Sequence, residues 1–324
     1  MKLTLEKVHL DLKVNWKLSR NQTTFKENFI VHLESDRGQF RSEIAPNIRY
    51  GETTENILSQ FESWICKVHL PSITSMDALA KSLPSDMLHA LRFGLESVLL
   101  KYLAQGDLTG YLGLPAPVAS ATSFSMPIIP VGEIADYLKP LSRFKHLKIK
   151  VNAESATDML AEIHKNTQAK LRVDANEGWS DLDEFMRFQA TLKGMNIELI
   201  EQPFPSKLQS EYRALKKMTP FKLLADESIE DAANFQELSE QFHAINIKLM
   251  KTGSLTKARD LIKEAKANGL EIMMGCMIET TIGISYGMLY TGMVEYVDLD
   301  GFLLIKDEPY QLVTESNGIL TLGH

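Results

Sequence analysis

Cysteine is almost missing from this chain of 324 residues: only Cys66 and Cys276 occur, and neither sits in a CxxC. Two isolated thiols build no disulfide framework, so a reducing compartment, the cytoplasm, is the expected home. Long hydrophobic runs are absent too. Although 44% of the residues are apolar, charges break every stretch, beginning with "MKLTLEKVHL". None approaches the roughly 18 uninterrupted apolar residues of a membrane span. No run of Lys and Arg stands out and the formal charge is −7, which argues against nucleic acid or an anionic membrane as partner. The eight histidines form no HExxH or HxH, and neither GxGxxG nor GxxxxGK[ST] occurs, which excludes the usual signatures of zinc hydrolases, dinucleotide enzymes and P-loop proteins. "GISYG" at 283–287 matches GxSxG in form, but inside a helical pattern instead of at a strand-to-helix turn; its glycines read as packing positions.

What is present divides at about residue 115. From Leu3 to Leu33 apolar residues alternate as in strands, with a slip of parity near Glu6, and "SDRG" at 35–38 reads as a turn into a further strand carrying Phe40. The period then becomes helical: Ile57, Phe61, Trp64 and Val68 share a face, and a second helix is expected from Pro84-Ser85-Asp86 to Gly106. Strands followed by helices make an α+β unit over 1–115, bounded by the proline-rich "LGLPAPVAS". Over 116–309 short apolar strands alternate with helical segments, which implies parallel βα units, and 310–324 is expected to return to the first unit.

The strands end on charges. Lys150, Asp174, Glu201, Asp226 and Lys248 follow at intervals of 24, 27, 25 and 22 residues, each about one βα unit. A closed parallel barrel brings all its strand ends to one face, so these five are expected to share a site. Three carboxylates gathered there would repel one another without a cation, and hard oxygen donors on rigid strands suit Mg²⁺. The competing interpretation, that each acid caps the helix after it, must account for five strand ends at once. Lys150 precedes the acids and Lys248 follows them, which places two amines on opposite sides of the ion, able to remove a proton from one face and return it on the other. Ordinary salt bridges to the same acids are the plainer alternative. Lys148, two residues before Lys150 on the same strand face, is expected to support the base, because a second ammonium favours the neutral form of a neighbouring amine.

"KIK", "VDAN", "EQP", "ADES" and "IKLMKTGS" together resemble the enolase superfamily, specifically its muconate lactonizing enzyme subgroup, over nearly the whole chain. The resemblance implies an α/β fold, a modified (β/α)7β barrel of the TIM type behind an N-terminal α+β capping domain. It further implies Mg²⁺ on Asp174, Glu201 and Asp226, with Lys150 and Lys248 as the acid/base pair at a carbon α to a carboxylate. Asp298 and Asp300 in "YVDLDG" look like the DxD with which dipeptide epimerases bind the substrate ammonium, and "GCMIETTIGI", carrying Met277 and Ile278, is similar to the epimerase segment bordering the peptide. By the same resemblance "LSRNQTTFKEN" is a lid, and its Arg20 is a candidate for a side-chain carboxylate of the substrate. The activity so implied is inversion of the C-terminal residue of a dipeptide, by a protein that can form homo-oligomers. An o-succinylbenzoate-type lyase, an N-acylamino acid racemase and a non-catalytic metal-dependent binder remain as alternatives on the same scaffold.

Overall fold

In the computed structural model, which describes residues 1–17 and 22–323, the chain opens with an antiparallel sheet ordered β1 (Lys2–Lys17), β2 (Gln22–Ser35), β3 (Gly38–Ile44). Ser35 pairs with Gly38, so Asp36 and Arg37 form the turn, as "SDRG" suggests. The parity change in β1 is not a slip. Its register with β2 runs unbroken from Lys2↔Glu34 to Asp11↔Phe25, and the irregularity falls between Asp11 and Trp16. The cause is a change of partner along one strand: Leu3 and Leu5 pack on the main core, whereas Leu12 and Trp16 pack on Leu304 beyond the barrel, and Leu12 bridges Ile305.

Three helices follow, Thr54–Ile65, Met76–Ser82 and His89–Leu103, of which the last packs on the sheet and the other two join the same core. The first is capped by Thr53 and buries Ile57, Phe61 and Trp64, the apolar stripe visible in the sequence. The third starts at His89, later than Pro84-Ser85-Asp86 suggests, because its first turn is satisfied from afar: Glu52 accepts from Ala90 N at 2.8 Å.

A short strand β4 (Ser120–Ala121) precedes eight parallel strands: β5 (Ser123–Met126), β6 (His146–Lys150), β7 (Lys170–Asp174), β8 (Ile197–Glu201), β9 (Lys222–Ala225), β10 (Ala244–Lys248), β11 (Glu271–Gly275) and β12 (Tyr296–Asp298). They pair in chain order, and a parallel bridge between Thr122 and Val297 brings the last back to the first. The result is a nearly closed barrel behind an α+β cap. Helices follow the strands as the alternating pattern requires, among them Ala156–Asn166, Leu182–Ala190, Leu255–Ala267 and Thr281–Met288, the last of which contains "GISYG". A final hairpin, β13 (Val313–Ser316) and β14 (Ile319–Leu322), pairs with β4 in the connection between cap and barrel. Among the described residues no helix is long and apolar enough to cross a membrane.

The lower lumen, toward the N-terminal strand ends, is filled by a separate apolar cluster of Leu199, Leu224, Ala244, Met273 and Tyr296. Four of these stand two residues before a mouth position: Glu201, Asp226, Gly275 and Asp298.

Candidate active site

Strand pairing sets the charged positions at one level. Lys150 lies opposite Asp174, Asp174 opposite Glu201, Lys248 opposite Gly275, and Gly275 opposite Asp298. Asp226 follows directly after β9. All of these side chains are buried: Asp174 and Glu201 completely, Asp226 at 4% exposure, Lys150 at 8%, Lys248 at 9%.

The ring is closed by ion pairs. Lys150 Nζ stands 2.5 Å from Asp174 Oδ2 and Lys248 Nζ 2.8 Å from Asp226 Oδ2, so the two amines occupy opposite flanks of Glu201, each against a different acid. Lys148 Nζ sits deeper, 2.9 Å from Glu201 Oε2, 2.9 Å from Asp298 Oδ2 and 3.1 Å from Asp174 Oδ2. Among the described residues the acids therefore do not stand as a ready-made cage of three oxygen donors; ammonium groups lie against each of them. Among the described residues Glu201 Oε2 nevertheless has no hydrogen-bond donor, since the nearby Lys148 approaches it off-line, and it is wholly buried. An orphaned carboxylate oxygen between two further carboxylates is the donor chemistry a hard divalent cation satisfies.

The electrostatics follow from this packing. Burial, followed by the charge of Asp174, pushes Glu201 up to about 7. Burial alone would raise Asp174 and Asp226 too, but the ammoniums of Lys150 and Lys148 hold the first below the carboxylate range, and those of Lys248 and Lys251 hold the second well below it. Lys248 and Lys148 are conversely held as ammonium: burial opposes the charge, but Asp226 outweighs it for the first and Asp298 with Glu201 for the second.

Asp298 and Asp300 are buried beside β5 but differ in surroundings. Asp298 accepts from Ser123 Oγ at 2.5 Å and from Lys148, which overcomes burial and keeps it ionised. Among the described residues Asp300 accepts only from Ser125, at 2.5 Å from its N and 3.3 Å from its Oγ, and burial together with the Asp298 charge pushes it up to about 7. Met277 and Ile278 are half-buried after β11: Asn47 Nδ2 reaches the Met277 sulfur at 3.8 Å, and Ile278 packs on the Leu12, Trp16 and Leu304 cluster. Arg20 lies outside the described residues.

Several neighbours escape sequence reasoning. Lys251 donates to Asp226 Oδ1 at 2.7 Å and to its carbonyl at 2.5 Å; its one signal is a position three residues past Lys248, on helix Leu249–Thr252. Asn246, two before Lys248 on β10, donates to Glu201 Oε1 at 3.0 Å. Gly275 leaves room for it: a Cβ there would stand 2.3 Å from Asn246 Oδ1, so the amide would have to shift off its place beside Glu201. From the cap, Arg49 Nη2 lies 3.0 Å from Glu177 Oε2, and Tyr50 is close enough that, after burial, the Asp226 charge raises its phenol further.

Residues 133–308 match the family model described as enolase C-terminal domain-like. The L-Ala-D/L-amino acid epimerase of Pedosphaera parvula is 32% identical over 294 residues, covering 87% of this chain and 83% of the relative. The L-Ala-D/L-Glu epimerase of Escherichia coli K12 is 30% identical over 288 residues, covering 86% and 87%. Among solved structures, the dipeptide epimerase of Methylococcus capsulatus, complexed with Mg and L-Arg-D-Lys, superposes with a TM-score of 0.87 at 27% identity, covering 99% of this chain and 96% of that one.

Proposed function

The chain belongs to the enolase superfamily, in the branch of the dipeptide epimerases, and from that premise we propose that it inverts the α-carbon of the C-terminal residue of a dipeptide by two-base proton transfer. The observation that carries the mechanism is the placement of Lys150 and Lys248 on the two acids that flank Glu201.

Asp174, Glu201 and Asp226 would hold Mg²⁺, which when bound supplies the positive charge that offsets the second negative charge developing on the substrate carboxylate. The rest is the work of this chain's side chains. Lys150 and Lys248 approach the α-carbon from opposite faces; one takes the proton as a neutral amine while the other gives one as an ammonium, and the roles exchange in the reverse direction. In the ion-paired ring both amines are bound to carboxylates. Engagement of those carboxylates elsewhere releases the amines toward the substrate. Lys148, set between Glu201, Asp174 and Asp298, fixes the acids below the reacting carbon. Asp298 and Asp300 receive the amino end of the peptide. Small-molecule binding is thereby assigned to the barrel mouth under the cap, and the cytoplasm is the matching compartment for peptide turnover.

The test is incubation of a library of LL dipeptides with the protein and Mg²⁺ in D₂O. The expected result is gain of one deuterium at the C-terminal α-carbon together with the LD diastereomer. A protein that takes up Mg²⁺ yet leaves every dipeptide unlabelled overturns the proposal.

A further inference from the structure

The segment 276–280 follows β11 and lies between the strand ends carrying Lys248 and Asp298, and its backbone is gripped from two sides. On the barrel side Gly301 presses against it so closely that a Cβ would stand 2.2 Å from Met277 O and 3.1 Å from Glu279 N. On the other side stand two cap residues, Asn28 of β2 and Glu43 of β3, both fully buried. Asn28 Nδ2 donates to Glu43 Oε1 at 2.8 Å and to Ile278 O at 3.0 Å. Glu43 accepts from Thr280 N at 3.0 Å, Thr280 Oγ1 at 2.6 Å and Gly283 N at 2.9 Å. Within the segment, Glu279 accepts from Met277 N at 2.8 Å.

This is a costly way to join two units. Among the described residues no cation pairs with Glu43; its carboxyl group rests on the Asn28 amide, the Thr280 hydroxyl and the amides at the start of helix Thr281–Met288, and Asn28 Oδ1 is buried without a partner. The same two units also meet through plain apolar packing at Leu12, Trp16 and Leu304, so adhesion alone does not call for a buried carboxylate. A polar cluster with fixed directions is suited to setting backbone position. The backbone it sets leans on Gly301, the residue after Asp300.

We propose that Asn28 and Glu43 are positioning residues of the cap: they hold the 277–279 backbone against Gly301 and so fix Asp300 where the amino group of the dipeptide is received. This deepens the epimerase reading and rests on it. The cap thus shapes the amino-end subsite from behind, without touching the peptide there.

The experiment is a double-mutant cycle of Glu43→Gln and Asp300→Asn, with dipeptide affinity read by calorimetry and turnover by deuterium uptake. Glu43→Gln is expected to raise KM about tenfold with kcat within about twofold, and to add less than about twofold to the loss already caused by Asp300→Asn. Asn28→Ala should behave alike. If the two losses multiply in full, or if kcat falls with KM unchanged, the assignment is wrong. Thr280→Val removes the hydroxyl bond to Glu43, together with the cap bond that the same oxygen accepts from Ile282 N at 3.2 Å, and gives the same signature in smaller degree should Glu43→Gln fail to fold. Deuterium uptake by the parent protein reports on the epimerase reading, whereas the calorimetric cycle reports on the positioning role without any turnover.

Discussion

The two halves of the barrel lumen are built from the same strands and have opposite chemistry. The lower half holds Leu199, Leu224, Ala244, Met273 and Tyr296, a packed apolar plug with the guanidinium of Arg172 laid over the Tyr296 ring. The upper half, one pleat on, holds Asp174, Glu201, Asp226 and Asp298 with Lys150 and Lys248, and the ammonium of Lys148 reaches up to it from the level of Leu199. Strand alternation makes this separation sharp: Leu199 and Glu201, or Tyr296 and Asp298, differ by two positions and point the same way. Packing in one layer carries stability, and buried charge in the other is retained for chemistry at some cost to stability. Substitutions in the two layers should therefore separate cleanly into folding and activity defects.

The largest effect is expected in the upper layer. Lys150→Met and Lys248→Met should each slow deuterium uptake at the α-carbon by roughly 10²–10⁴, with one stereoisomer hit harder in each variant. Melting temperatures should fall little, because Asp174 keeps Lys148 at 3.1 Å and Asp226 keeps Lys251 at 2.7 Å. A variant that labels both stereoisomers at the parental rate breaks the division of labour. Next comes removal of the metal: chelation should stop labelling while the fold persists, and Mg²⁺ at a hundred times its Kd should stabilise the parent by about 2.7 kcal/mol. Asp226→Asn, followed by thermal melts with and without Mg²⁺, should lose most of that gain.

The lower layer is the converse case. Leu199→Ala, fully buried in the parent, should cost about 2–5 kcal/mol in urea unfolding, with kcat in the cold close to parental. A large fall in kcat there, without unfolding, would mean the layers are coupled.

The smallest effect sharpens the boundary at the cap. Burial, then the charge of Glu43, raises the Glu279 carboxyl to about 8, above its ordinary value. The folded protein therefore holds a proton that the unfolded chain releases between about 4.3 and 8. The contribution of this group to stability is whole below that window and is lost as pH rises through about 8. Glu279→Gln should flatten the decline in melting temperature between pH 5 and 8; an unchanged slope would show that Glu279 is not the group responsible.

The barrel was legible because a parallel βα repeat has a period, and that period carries Lys150, Asp174, Glu201, Asp226 and Lys248 to one level. What depends on two distant segments was not legible. Lys251 and Asn246 acquire partners only when β8, β9 and β10 are side by side. Asn28 and Glu43 sit in strands whose sequence shows only alternation; their partners at 278–283 lie more than two hundred positions away. In β1 the alternation was read correctly but its change of phase was not, because a strand that serves two cores looks in sequence like a strand out of register.

The strands that open the chain govern how the molecule comes apart. Strand β14 pairs with Ser120–Ala121, while β1 reaches across to Ile305 through Leu12. The hairpin thus closes the barrel unit on itself, whereas β1, β2 and β3 lace the cap to the barrel through Leu12, Trp16, Asn28 and Glu43, and a protease that nicks the proline-rich connection near Pro115 should leave two fragments that travel as one particle until denaturant is added. The covalent link between the units is the most dispensable thing joining them.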